Sequence, residues 1–256
     1  GDAAVRGADA EPYLDAAVAS VVSMQEAAGL DVVTDGEWRR TSYIGVIAEL
    51  SHGFQIGHNP TDGRPWTTVV AELAPKEPGF IAREARFLKG VANKKTKITV
   101  PAPALLGERL WDPERSRKAY PTRRSFVEAC IPILRRELEL ICQEGVDVIQ
   151  IDDSHLCLLV DPQVRSGFPD PNAEADFSVE VNNALMEGLK GPMLAVHLCR
   201  RAGARVRGEA CHSGGYETIL PQINRLKADH LTMEFASPTA GTLEILAGLR
   251  ADLEIG

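Results

Sequence analysis

His197 and Cys199 stand two residues apart where the apolar run Met193-Leu-Ala-Val196 ends. If that run is a strand, alternation puts both side chains on one side, so an imidazole nitrogen and a thiolate can approach one ion together. Glu234 holds the matching place after His230-Leu-Thr-Met233. Neighbouring parallel strands lie only about 4.8 Å apart, which lets its carboxylate complete a third ligand. Nitrogen, sulfur and oxygen together suit zinc. Such a site activates a thiol. A free thiol has a pKa of about 8.5 and is mostly protonated at neutral pH, whereas zinc deprotonates it and an open coordination position admits a substrate sulfur. A plainer reading of the pair, a histidine at a strand end beside a buried cysteine, stays open at this point.

Acidic groups close two further apolar runs. Asp35 and Glu37 follow Asp31-Val-Val-Thr34, and Asp152 and Asp153 follow Val148-Ile-Gln-Ile151. Adjacent aspartates can act as general acid and base, or one can bind a substrate amine while the other caps a loop. His155 just beyond reads as a loop residue or a substrate contact. Arg39 and Arg40 are expected on the surface. Glu217 falls in the first turn of a helix, where a carboxylate favours the dipole. His230, at a strand start, reads as structural, and His52 and His58 have no partners in sequence. Cys211-His212 offers a further ligand, although adjacent Cys and His rarely both reach one ion and loops position ligands less well than strand ends. Cys130 and Cys142 lie in a strongly helical stretch and read as buried structural thiols.

These groups can meet only if regular elements carry them. Apolar residues recur at helical spacing over 11–28 (Leu14, Ala17, Val18, Val21, Val22), Gly29 stops the helix, and a strand follows over 31–34. The same order returns over 126–144 and 146–151, over 173–189 and 193–197, and over 216–227 and 230–235. A helix over 239–249 precedes a last strand that starts near Leu253. With 97–100 this makes six strand candidates. Strands alternating with helices imply βαβ units and a parallel sheet, with reactive groups collected past the carboxyl ends of the strands. The fold class expected is therefore α/β, a (β/α)8 TIM barrel incomplete at one or both ends. The stretch 52–80, rich in Gly and Pro, reads as a long excursion over the surface.

The 256 residues suit one barrel domain over 1–256. The chain opens on Gly1 and stops at Asp252-Leu-Glu-Ile-Gly256, a strand just begun, which reads as a fragment. A net charge of -8 with scattered basic residues leaves no footprint for a phosphate backbone, so nucleic acid is not an expected partner. No run of about 18 apolar residues and no secretion signal occurs, so no membrane is expected and the cytoplasm is the expected location. Five cysteines, few and odd in number, read as free thiols rather than a disulfide framework. A homo-oligomer is compatible with all of this.

The segments Asp31-Val-Val-Thr-Asp-Gly-Glu-Trp-Arg-Arg40, Val148-Ile-Gln-Ile-Asp-Asp153, Val196-His-Leu-Cys-Arg200 with Gly214-Gly-Tyr-Glu217, and Met233-Glu-Phe235 resemble the cobalamin-independent methionine synthase family, specifically its catalytic barrel and short bacterial relatives. The resemblance runs over nearly the whole chain. It implies a zinc cofactor held by His197, Cys199 and Glu234, with Glu37 and Asp152 as the catalytic carboxylates that hold the amino group of an amino-acid thiol. Gln150 and Asp153 beside them are further candidate substrate-binding residues. The implied partners are a small-molecule thiol, homocysteine or similar, and a methyl or alkyl donor. Two features depart from the family pattern. Its last zinc cysteine and its opening Gly-Ser segment have no counterpart here, which leaves the fourth ligand absent or supplied by Cys211. Its folate-stacking tryptophan has no match in Val100-Pro-Ala-Pro-Ala104. Alternatives are an epoxide-opening coenzyme M transferase, which also uses a His-x-Cys pair, a metal-independent barrel lyase resembling uroporphyrinogen decarboxylase that would work through Asp35, Asp152 and Arg39, and a metal-storing or sensing module without turnover.

Overall fold

The computed structural model describes residues 10–61, 63, 65–200, 212–236 and 238–256. Helix α1 (Glu11–Ala27) buries Val18 and Val22, and Gly29, at φ 82°, turns the chain into β1 (Val32–Val33). A short helix α2 (Ile47–Leu50) leads to the strands β2 (Ser51–His58) and β3 (Pro65–Pro75), then α3 (Phe80–Val91), β4 (Lys95–Pro101) and α4 (Pro103–Leu110). A capping box between Thr122 and Ser125 starts α5 (Arg123–Gln143). After β5 (Val148–Asp152) come α6 (Ser154–Leu158), α7 (Pro162–Arg165), α8 (Pro171–Met186), β6 (Met193–Leu198), α9 (Leu220–Ile223), β7 (His230–Met233) and β8 (Glu254–Ile255).

The six strands read from the sequence are those of one six-stranded sheet in the order β1, β4, β5, β6, β7, β8. The pairings of β1 with β4, β6 with β7 and β7 with β8 are parallel: Val33 faces Thr96, His197 faces Thr232, and His230 faces Glu254. Sequence order and sheet order coincide because each parallel neighbour is reached by a crossover. The chain divides into two compact units: Gly1–Ile98 with Arg109–Ile149 and Leu189–Pro192, and Thr99–Glu108 with Gln150–Gly188 and Met193–Gly256. In the first, α1 and α5 pack on α3 through Val18, Val22, Ile81, Ala85, Leu88, Leu134, Leu138 and Ile141. In the second, Ala175, Val179 and Leu185 of α8 and the apolar rows of β6 and β7, Val196, Leu198 and Leu231, are buried.

Three expectations need correction. The stretch 52–80 is an antiparallel hairpin of β2 and β3 in its own two-stranded sheet, not a featureless excursion. The Gly and Pro residues that hid it serve the turn and the close approaches: Gly57 pairs with Trp66, and a Cβ at Gly57 would lie 2.3 Å from that indole. The helix expected over 216–227 is a 3-10 turn (Tyr216–Ile219) followed by the single turn of α9, because Pro221 has no N–H to donate and starts a helix rather than continuing one. The helix expected over 239–249 is two 3-10 pieces, Pro238–Ala240 and Leu243–Gly248, separated at Gly241, whose φ of 94° is not helical.

Candidate active site

Three parallel strands end in one polar row. On β5, Gln150 and Asp152 are two apart and share a face. The Gln150 amide donates to Asp152 Oδ1 at 2.7 Å, and Thr232 of β7 lies 3.4 Å from Gln150 Oε1. His197 of β6 brings Nδ1 to 3.1 Å from the same Asp152 oxygen. A carboxylate can only accept, so Nδ1 carries a proton, and in the neutral ring this leaves the Nε2 lone pair for a metal or a proton. His197 faces Thr232 and Leu198 faces Met233, so by continuation Cys199 and Glu234 stand opposite each other on the His197 face. Glu234 Oε2 accepts the Arg200 N–H at 2.7 Å. Among the described residues no three His, Cys, Asp or Glu side chains are grouped so as to hold a metal ion. Cys211 lies outside those residues.

The backbone ends behind this row are fixed by buried groups. Asp153, fully buried, accepts from Leu156 N–H at 2.9 Å, Ser178 Oγ at 2.6 Å and Asn182 Nδ2 at 2.7 Å, and its own N–H donates to His197 O. Its carboxylate is therefore occupied inside the protein, as a cap on α6 and a brace to α8. The Tyr216 hydroxyl sits between the ends of β6 and β7, 3.2 Å from both Leu198 O and Glu234 O, and accepts Glu234 N–H at 3.1 Å. Arg200 lies over the Tyr216 ring at 4.9 Å and donates to the carbonyls of Thr239 and Ala240. Burial pushes the Cys157 thiol up to about 12, against the opposing pull of Tyr216 and Arg200, so Cys157 is an inert neighbour and not a nucleophile. His155 is buried and held by Glu174 at 2.7 Å, which settles it as a packed residue.

The loop after β1 carries a second polar group, within the first unit. Gly36 and Glu37 both have positive φ, 68° and 57°; for Glu37 this is a left-handed backbone that a non-glycine residue adopts only under constraint. The constraint is local. Asp35 Oδ1 accepts Glu37 N–H at 3.1 Å, Arg40 N–H returns to Glu37 O at 3.0 Å, and a Cβ at Gly36 would press into the Trp38 indole at 2.8 Å. Arg40, expected on the surface, is buried: its side chain is 1% exposed and pairs with Glu37 at 3.1 Å and Glu84 at 2.9 Å. A cleft of about 100 Å³ beside Arg40 is bordered by Ser42, Gly45 and, from the hairpin, Ile56 and Thr67.

The family model described as Cobalamin-independent synthase, Catalytic domain, matches residues 2–256. The chain belongs to the cobalamin-independent methionine synthase family. Among its relatives in that family, the methionine synthase of Saccharolobus solfataricus is 25% identical over 256 residues, covering 97% of this chain and 67% of the relative. That of Sulfolobus acidocaldarius is 24% identical, covering 88% and 58%. The structure of a B12-independent methionine synthase from Shewanella sp. W3-18-1 in complex with selenomethionine superposes with a TM-score of 0.75 at 20% identity, over 98% of this chain and 72% of that one. A putative vitamin-B12-independent methionine synthase from Listeria monocytogenes gives 0.66 at 18% identity, over 98% and 70%. The fold is thus the α/β barrel type of this family's catalytic domain, and the described residues carry six of the eight strands such a barrel has.

Within the family frame, Gln150, Asp152 and His197 are joined by hydrogen bonds, and Cys199 and Glu234 share their face by register. Reading the sequence missed Arg40, Glu84, Tyr216 and Arg200. For Glu84 a signal existed: it lies three residues after Ile81 and four before Leu88, a charge on the apolar stripe of a helix. Tyr216 sits in the quoted Gly214-Gly-Tyr-Glu217 motif, but no pattern in the sequence announces where its hydroxyl points.

Proposed function

We propose that this chain transfers a methyl group from a small-molecule donor to the sulfur of homocysteine or a similar amino-acid thiol, with zinc as cofactor. The observation that carries the reading is the match of residues 2–256 to the catalytic domain of a family whose relatives are methionine synthases. His197, Cys199 and Glu234 would hold the ion: their donor types fit zinc, and the pairing of β6 with β7 supports a common face. When bound, zinc would keep the substrate sulfur as a thiolate. The remaining work falls to the chain. Asp152 fixes the His197 tautomer through Nδ1 and, with Gln150, offers acceptors to a substrate amine. Glu37 is the other carboxylate proposed for that amine, and Asp153 supports Asp152 by fixing the end of β5. No described helix is long and apolar enough to cross a membrane, in keeping with small soluble substrates.

The test joins metal content to turnover. Purified protein is expected to carry zinc and to methylate homocysteine with at least one of a panel of methyl donors, methyltetrahydrofolate among them. Cys199→Ser should lose both metal and activity. A metal-free Cys199→Ser protein of full activity refutes the reading.

A further inference from the structure

Arg40 lies between two carboxylates that compete for one charge. One guanidinium nitrogen stands 3.1 Å from Glu37 Oε1, and two reach Glu84 Oε2 at 2.9 and 3.0 Å. Asp35 adds a third carboxylate, 4% exposed. Asp35 Oδ2 and Glu84 Oε1 are buried without a hydrogen-bond partner among the described residues. The cluster is therefore short of donors and positive charge, a costly condition in an interior of low dielectric. Glu37, at 29% side-chain exposure, is the member that reaches solvent, whereas Glu84 at 1% does not.

We infer that Glu84 is a positioning residue that, by claiming or releasing Arg40, sets whether Glu37 can take the ammonium group of the thiol substrate. The inference rests on the reading that Glu37 binds that amine. With Glu84 ionised, its charge matches Arg40, and Glu37 keeps a full negative charge for an ammonium. With Glu84 protonated, the guanidinium turns its charge on Glu37, and an arriving ammonium must compete with it. Burial pushes Glu84 up to about 7, Arg40 pulls it back, and Asp35 and Glu37 add to the rise, so the exchange falls in the neutral range. The other charges packed around α3 are matched elsewhere. On α1, Glu11 and Asp15 pair with Arg39; on α5, Glu137 accepts backbone N–H groups of Gly79, Ile81 and Ala82; Glu144 pairs with Arg86, and Asp147 with Lys89.

The test is calorimetric titration of the whole chain with homocysteine and with 4-mercaptobutyrate, which has the same thiol and carboxylate but no amine. The readout is the ratio of the two dissociation constants from about pH 6 to 8, with the homocysteine value referred to its ammonium form, because an α-amino group begins to lose its proton at about pH 8. If only the ionised form of Glu84 favours the ammonium, the preference for homocysteine should grow about tenfold across that range. Glu84→Gln should hold it at its low-pH value throughout, and Glu37→Gln should lower the ratio and remove its pH dependence, leaving the share that Asp152 supplies. A flat wild-type ratio overturns the inference without any variant, and so does a Glu84→Gln protein that keeps the wild-type slope. If Glu37→Gln leaves the preference intact, the reading of Glu37 as the amine site falls and takes this inference with it. If Glu37→Gln lowers the preference while Glu84→Gln behaves as wild type, that reading stands and the positioning role alone fails.

Discussion

Asp152 and Asp153 are chemically identical neighbours with opposite tasks. Strand alternation sends Asp152 to the polar row, where it meets Gln150 and His197, and sends Asp153 inward to Ser178, Asn182 and Leu156 N–H. Replacing them should separate the roles. Asp152→Asn is expected to keep the melting temperature near wild type and to lower turnover by about 10- to 100-fold, as loss of a residue that orients a ligating imidazole usually does. Asp153→Ala leaves three buried donors without their acceptor and should cost about 2–4 kcal/mol of stability in denaturant unfolding. A stable, inactive Asp153→Ala protein would contradict the assignment. At this scale the sequence was informative about residue types at strand ends, since His197, Cys199, Asp152 and Glu234 all stand where alternation puts them. It was silent on Arg40, because burial of an arginine depends on Glu84, which lies 44 residues away in the chain.

Between elements, the same device recurs with Glu137. Helix α3 starts at Gly79, which has no side chain to cap it, and Glu137 of α5 supplies the missing acceptor for Gly79 N at 2.7 Å, Ile81 N at 2.6 Å and Ala82 N at 2.9 Å. Glu137→Ala should therefore destabilise the protein by about 3 kcal/mol, read as a fall in thermal midpoint, and fray α3 from its N-terminus. The sequence revealed the long helices and the six strands of the main sheet because apolar runs recur in a regular helix, turn, strand order. It missed α3, a short helix whose charged residues Arg83, Glu84, Arg86 and Lys89 leave it little net apolar character, and the β2–β3 hairpin, whose exposed faces and Gly53 irregularity blur a period of two. It overran at 216–227 and 239–249, where Pro221 and Gly241 override a helical pattern of apolar residues.

For the molecule as a whole, the buried acidic cluster ties stability to pH. Burial holds Glu84 up to about 7 in the folded protein, above the ordinary 4.5 of an unfolded glutamate. A raised carboxylate contributes stability that is complete below the unfolded value and is lost as pH rises through the folded one. Denaturant midpoints should accordingly decline between about pH 5 and 7, and Glu84→Gln should flatten that decline; an unchanged slope in the variant would assign it to other groups. The family match extends across both compact units, and the chain spans 67% of the Saccharolobus solfataricus relative. The Glu234 amide donates to both Leu198 O and the Tyr216 hydroxyl, so its hydrogen can be traded for deuterium only when β6 and β7 part at the rim. That one amide is a built-in clock for breathing of the rim that bears the thiol and imidazole, and a ligand that bridges the two strands would slow it.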